Sequence, residues 1–156
     1  MIVADASVLI ALININAFEI LKSFIDNIVI TREVYNEVAQ REYAKRLIDR
    51  EIEASYISIK AYKNIRRFEE MCFVLDAGES SSILLAMEEN LPLIIDEKKG
   101  RKFAKQKGVK VIGLVGILRF LYLEESLDRK KIQEIVERLR DSDFRISQTL
   151  LEMILA

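Results

Sequence analysis

The residues that could do chemistry in this chain are few, and most are acidic. Asp5 and Ser7 stand at the end of Met1-Ile2-Val3-Ala4-Asp5-Ala6-Ser7, Glu37 lies in Val34-Tyr35-Asn36-Glu37-Val38, Glu79 in Asp76-Ala77-Gly78-Glu79, and Asp96 closes Leu93-Ile94-Ile95-Asp96. The 156 residues include no histidine and one cysteine. That composition excludes Ser–His and Cys–His nucleophile systems, His general bases, His metal sites and structural zinc. Carboxylates, lysines, hydroxyls and a hard metal ion remain. Asp5 and Asp96 each follow a stretch that reads as a buried strand, and open parallel sheets bind ligands outside the carboxyl ends of their strands. Two aspartates on adjacent strands at that edge would lie within reach of one cation, with the Ser7 hydroxyl two residues beyond the first. The alternative is that each caps the helix after it. Glu37, one turn beyond Glu33, is either at the edge of a buried stripe or a solvated surface residue. Glu79 opens a helix, where the dipole and a capping pattern favour a carboxylate anyway, and Asp76 reads as the N-cap.

The elements that must position these side chains alternate. Met1–Asp5 reads as a first strand, and an apolar helical stretch runs from Ser7 to Ile13. Asn27–Ile30 is a second strand. Thr31 caps a charged helix, with Glu33 in its first turn, that reaches about Ala54 with one break near Gln40. Tyr56–Lys60 is a third strand. Helices over Asn64–Phe73 and from Asp76 onward precede a fourth strand, Leu91–Asp96. A helix from Lys98 to Lys107 stops at Gly108, and Val109–Gly113 is a fifth strand. Strands alternating with helices imply right-handed βαβ units and a parallel sheet covered on both faces. After Gly113 the chain is helical: Val115–Glu124, Arg129–Arg140 and a final helix capped by Ser147, after a short extended piece, Phe144-Arg145-Ile146. The expected architecture is one domain over 1–156. Its α/β core, residues 1–113, holds a five-stranded parallel sheet of order 3-2-1-4-5, and residues 114–156 form a helical extension. That order sets the first and fourth strands side by side, so Asp5 and Asp96 converge.

Asp-x-Ser after a first strand, Glu in the next capped helix, Gly-Glu opening a small-residue helix and Ile-Ile-Asp ending a later strand together resemble a PIN domain. The closing Phe-Arg-Ile-Ser before a leucine-rich helix resembles one PIN-like branch of prokaryotic proteins. The resemblance runs along nearly the whole chain and implies a three-layer α/β/α fold and a metal-dependent ribonuclease, in many members the toxin of a toxin–antitoxin pair. Its acidic cluster falls on Asp5, Glu37, Glu79 and Asp96. The third family acid is more often Asp, so Asp76 competes with Glu79. Four crowded carboxylates repel and raise one another's pKa, and Mg²⁺ or Mn²⁺ relieves that repulsion with the oxygen ligands these ions prefer. One such ion, or two about 3.5–4 Å apart, activates water for in-line attack on a phosphodiester and stabilises the leaving oxygen. The resemblance implies that Asp5 and Asp96 ligate directly, that Glu37 and Glu79 act through water or at a second position, that Ser7 holds a water of the ion's shell, and that Glu97 supplies an outer contact.

Lys98, Lys99, Arg101, Lys102, Lys105, Lys107 and Lys110 form a run without an acid, either a solvated face or a track for a phosphate backbone. Lys98, Lys99 and Arg101, nearest the acids, are the candidate RNA contacts. No aromatic ladder accompanies the run, so stacking recognition of single-stranded bases is not indicated. The apolar stretch Val115–Leu123 is expected to be buried or to be covered by a second copy, making a homodimer. Cys72 reads as a buried small hydrophobe. With 51% hydrophobic and 31% charged residues, disorder is excluded. No run approaches the 18 residues of a membrane span, and Met-Ile-Val-Ala-Asp has no basic region before an apolar stretch, so a cytoplasmic location is expected. The rival readings are a catalytically silent PIN-like module that binds RNA or protein, and a Mg²⁺-dependent phosphatase; the latter lacks an Asp-x-Asp-x-Thr pattern after the first strand.

Overall fold

The strands alternate in which side they bury, and this divides the core in two. A computed structural model describes residues 1–142, 144 and 146–156. The five strands are β1 (Ile2–Ala4), β2 (Ile28–Ile30), β3 (Ile57–Ile59), β4 (Leu93–Ile94) and β5 (Val111–Ile112). Successive strand side chains point to opposite faces. Ile2, Ala4, Ile28, Ile30 and Ile94 therefore join one apolar cluster, while Val3, Val29, Leu93 and Ile95 join another. β1, β2 and β4 carry no polar residue because both their faces are covered, as in all-parallel sheets, whereas edge strand β3 exposes Ser58.

The sheet is parallel throughout, in the order β3-β2-β1-β4-β5. Val3 stands opposite Val29 on one side and Leu93 on the other. The chain thus winds outward from β1 to β3 and returns on the far side of β1, placing the switch of winding between β1 and β4. On one face lie α1 (Ala6–Asn14), α2 (Ile20–Phe24), α3 (Arg32–Val38) and α4 (Glu42–Glu53), together with α8 (Leu114–Leu123), α9 (Arg129–Asp141) and α10 (Gln148–Leu155). On the other lie α5 (Ile65–Met71), α6 (Ala77–Glu89) and α7 (Lys98–Gln106). The three-layer α/β/α arrangement follows. Helices α8, α9 and α10 share one continuous apolar cluster with α1 and the sheet.

Helix starts follow their caps. Thr31, Asn64, Asp76, Glu97, Asp128 and Ser147 each accept a backbone N–H from the first turn of α3, α5, α6, α7, α9 and α10. Thr31 also shares a 2.7 Å hydrogen bond with Ser81 of α6, tying the two faces' helices together through buried hydroxyls. Gly108, at φ +80°, ends α7 in the left-handed region that glycine occupies without strain.

Three expectations are corrected. The helix α2 falls between the expected first helix and second strand; it is five residues long and has no side-chain cap to announce it. The fourth and fifth strands are shorter than read, although Val3 still donates to Pro92 O and Ile95 to Ile112 O at the ends of β4. Cys72 is exposed, because α5 ends at Met71, which takes the buried position, and the following turn carries Cys72 outward. The extended piece Phe144-Arg145-Ile146 includes Arg145, outside the described residues; Ile146 itself is buried against the helical face.

Candidate functional site

Two aspartates leave the sheet at the switch between β1 and β4. Asp5 follows β1, and its N–H continues the ladder to Ile94 O at 2.9 Å. It occupies the N-cap position of α1 yet makes no side-chain capping bond to the helix's first turn. The residue is 4% exposed. Burial is the main reason its pKa is pushed up to about 7; the charges of Glu37 and Asp76 act in the same direction, while the Ala6 N–H and Ser82 hydroxyl oppose them. The Ser82 hydroxyl favours the charged carboxyl without the alignment of a hydrogen bond, and is otherwise unpartnered in the core.

Three of the acids gather around Gly78. A Cβ there would stand 3.5 Å from Asp76 Oδ1, 3.6 Å from Glu37 Oε2 and 3.7 Å from Asp5 Oδ1. Helix α3 brings Glu37 to this point from its exposed edge, and burial followed by the Asp76 charge raises the Glu37 pKa. Asp76 caps α6 through Glu79 N at 2.8 Å, and its carboxyl still belongs to the cluster. Glu79 turns toward α7: its Oε2 and that of Glu97 each lie 3.5 Å from where a Gly100 Cβ would be. Burial, the neighbouring Asp76, and then Glu97 and Asp5 push Glu79 up to about 8.

Asp96 is held by a different set of partners. Its Oδ1 accepts Leu114 N at 3.0 Å at the start of α8, and Oδ2 is buried with no hydrogen-bond partner. Burial raises its pKa, opposed by the Leu114 N–H and the Arg101 guanidinium. Arg101 itself donates to Ile95 O at 2.9 Å. Gly113 permits this packing, since a Cβ at that position would sit 2.8 Å from Arg101 Nη1 and closer still to Asp96. Gly113→Ala is therefore expected to cost about 1–3 kcal/mol, as overpacking does. Urea unfolding reads this directly, and an unchanged midpoint would show that the turn gives way.

The structure thus brings Asp5, Glu37 and Asp76 to one surface at Gly78, with Glu79 coupled to it and joined by Glu97 at Gly100. Asp96 lies beside Arg101. Ser7 is exposed and lines a groove of about 710 Å³ together with Glu37. Glu97 is the N-cap of α7, accepting Gly100 N at 2.6 Å. Lys98, Arg101 and Asp96 line a second groove, of about 950 Å³, whose floor includes Val111 and Gly113; Lys99 is exposed on the same helix. Sequence reasoning leaves Asp76 as a cap and competitor only, and passes over Ser82. The available signal is the run Ser80-Ser81-Ser82 in an apolar helix, all three fully buried, where hydroxyls need a reason to be.

The donors are all oxygen, which suits a hard cation. The unpartnered Asp96 Oδ2 and the open face of Gly78 are compatible with one. Among the described residues no group of three or more acidic side chains is drawn tightly around one point. The fit is to an ion held by one or two carboxylates with water completing its shell, as Mg²⁺ is commonly bound.

A family profile described as DUF3368: PIN domain matches residues 1–156. No curated protein matches the sequence. Among solved structures, a PilT N-terminus domain protein from the hyperthermophilic archaeon Sulfolobus solfataricus P2 is similar at 21% identity, over 95% of this chain and 98% of that one, with a TM-score of 0.48. No helix among the described residues is long and apolar enough to cross a membrane.

Proposed function

The chain belongs to the PIN-domain family, and from that premise we propose that it is a Mg²⁺- or Mn²⁺-dependent endoribonuclease of the cytoplasm. The observation that carries the reading is the crowding of carboxyls at the switch point, where burial and mutual repulsion raise the pKa of Asp5, Glu37 and Glu79. Protonation or a cation relieves such a cluster at neutral pH. A bound divalent ion would supply an activated water and neutralise charge on the phosphate. Asp5 and Asp96 are assigned as its direct ligands, with Glu37, Glu79 and Asp76 completing the acidic rim through water. Ser7 orients water at the mouth of the neighbouring groove, and Glu97 keeps α7 in place while adding negative charge beside Glu79. Lys98, Lys99 and Arg101 hold the RNA backbone, and the Arg101 charge also favours the ionised Asp96 carboxyl.

A toxin role would require a small antitoxin partner, and a homodimer would cover Phe120 and Leu123 of α8 and Met153 of α10, which are 43%, 58% and 58% exposed. Both belong to the proposal. The decisive experiment is incubation of end-labelled single-stranded RNAs with Mg²⁺, with Mn²⁺ and with EDTA, resolved on a gel. Cleavage with metal and none in EDTA is expected. Binding without cleavage would favour the silent module, and RNAs neither bound nor cut would sink both.

A further inference from the structure

The turn between α5 and α6 carries an aromatic ring out into water. Phe73 is 89% exposed and Val74 49%. Adjoining apolar exposure of this kind marks an interaction site more often than a lone residue does. Three residues later comes Asp76, so the Phe73 Cα lies at most about 11 Å from the Asp76 Cα. That separation corresponds to about three stacked nucleotides.

Val74 also lines an open groove of about 460 Å³ between α5 and α7. Its apolar lining is completed by Met71 and Phe103, and its charged residues are Arg66, Arg67, Lys107 and one acid, Glu70. Arg66 pairs with Glu70 at 3.4 Å. Among the described residues, Arg67 and Lys107 have no ion-pair partner, and the Lys107 ammonium stands 5.4 Å from the centre of the Phe103 ring. Cations without an ion pair, in a groove whose lining residue Val74 follows the exposed Phe73 directly in the chain, combine what single-stranded nucleic acid requires: charge for phosphates and a flat face for an unpaired base. The groove lies on the opposite side of the α7 basic run from the groove that holds Asp96.

We infer that the α5–α6 turn and this groove form a single-stranded RNA subsite, in which a base stacks on Phe73 and the adjoining phosphates meet Arg67 and Lys107. The inference rests on the ribonuclease reading. It gives the substrate a direction, from the acids past the start of α6 toward α5. A protein partner on the same surface would need Phe73 as an anchor but would leave RNA binding untouched.

The test is fluorescence anisotropy of a labelled 12-nucleotide single-stranded RNA in EDTA, with thermal melts showing that each variant is folded. Phe73→Ala is expected to raise Kd roughly tenfold, and Phe73→Trp to restore it. Arg67→Ala with Lys107→Ala should lessen the slope of log K against log salt by about 0.7 for each phosphate no longer neutralised. A Phe73→Ala variant within twofold of wild type overturns the subsite, as does wild type that does not bind. Cleavage of the same RNA with Mn²⁺ is read separately. A wild type that cleaves, beside a Phe73→Ala variant that binds equally well, removes the subsite and leaves the nuclease standing. A wild type that never cleaves removes the nuclease reading instead.

Discussion

Asp5→Asn is expected to lower metal-dependent RNA cleavage by at least about a hundredfold, the upper end of what residues supporting a metal's ligands cost, while making the metal-free protein more stable at neutral and alkaline pH. The two effects share one origin. The Asp5 carboxyl is 4% exposed and its pKa is raised from 3.8 to about 7 by burial and then by Glu37 and Asp76. A carboxyl with a raised folded-state pKa binds more protons folded than unfolded between those values, so stability falls as pH rises through the window. The whole shift corresponds to about 4 kcal/mol at most. Asn keeps the shape without the charge. In urea unfolding its advantage over wild type should be greatest at pH 8 and shrink toward pH 5. A variant that is less stable at pH 8, or one that cleaves normally, would remove Asp5 from the site.

The second large effect concerns metal itself. Saturating Mg²⁺ or Mn²⁺, at a hundred times Kd, should add about 2.7 kcal/mol, which in a chain of this size raises Tm by about 5–10 °C. The rise should be larger at pH 8 than at pH 6, because ligands must be deprotonated and the carboxyls of Asp5 and Glu79 ionise only near pH 7 and pH 8. Asp96→Asn should abolish the response. An equal shift in that variant, or one indifferent to pH, would mean that the ion binds elsewhere.

Much of this is legible in the sequence because strands buried on both faces leave plain apolar runs, and caps leave small polar residues at fixed offsets. Ile2–Ala4 and Ile28–Ile30 can be read for the first reason, and Thr31, Asp76 and Ser147 for the second. The strand order follows from the alternation of elements together with the family resemblance. Other features depend on three-dimensional approach. That Asp5, Glu37 and Asp76 all reach the neighbourhood of Gly78 depends on how three elements approach one another, and nothing in the local sequence announces it. Convergence of Asp96 with Asp5 is what the strand order suggests; its turn toward Leu114 and Arg101 depends on Gly113, seventeen positions along the chain. Cys72 misleads because an apolar neighbourhood in sequence, Met-Cys-Phe-Val, belongs to a turn that leaves the core.

The pairing of β1 with β4 also governs when the protein becomes whole. Val3 and Leu93 are neighbours in the sheet but about ninety residues apart along the chain, the kind of distant pairing that slows folding. Asp5 leaves the ribosome early, while the strand that seats Asp96 comes long afterwards, and Leu114, which holds the Asp96 carboxyl, later still. Domains are completed from the amino end during synthesis, at roughly 5–20 residues per second. For several seconds, then, a nascent chain carries Asp5 without Asp96 and has no assembled site. On the proposed reading, the nuclease would stay inert until Leu114 has been made and can hold the Asp96 carboxyl.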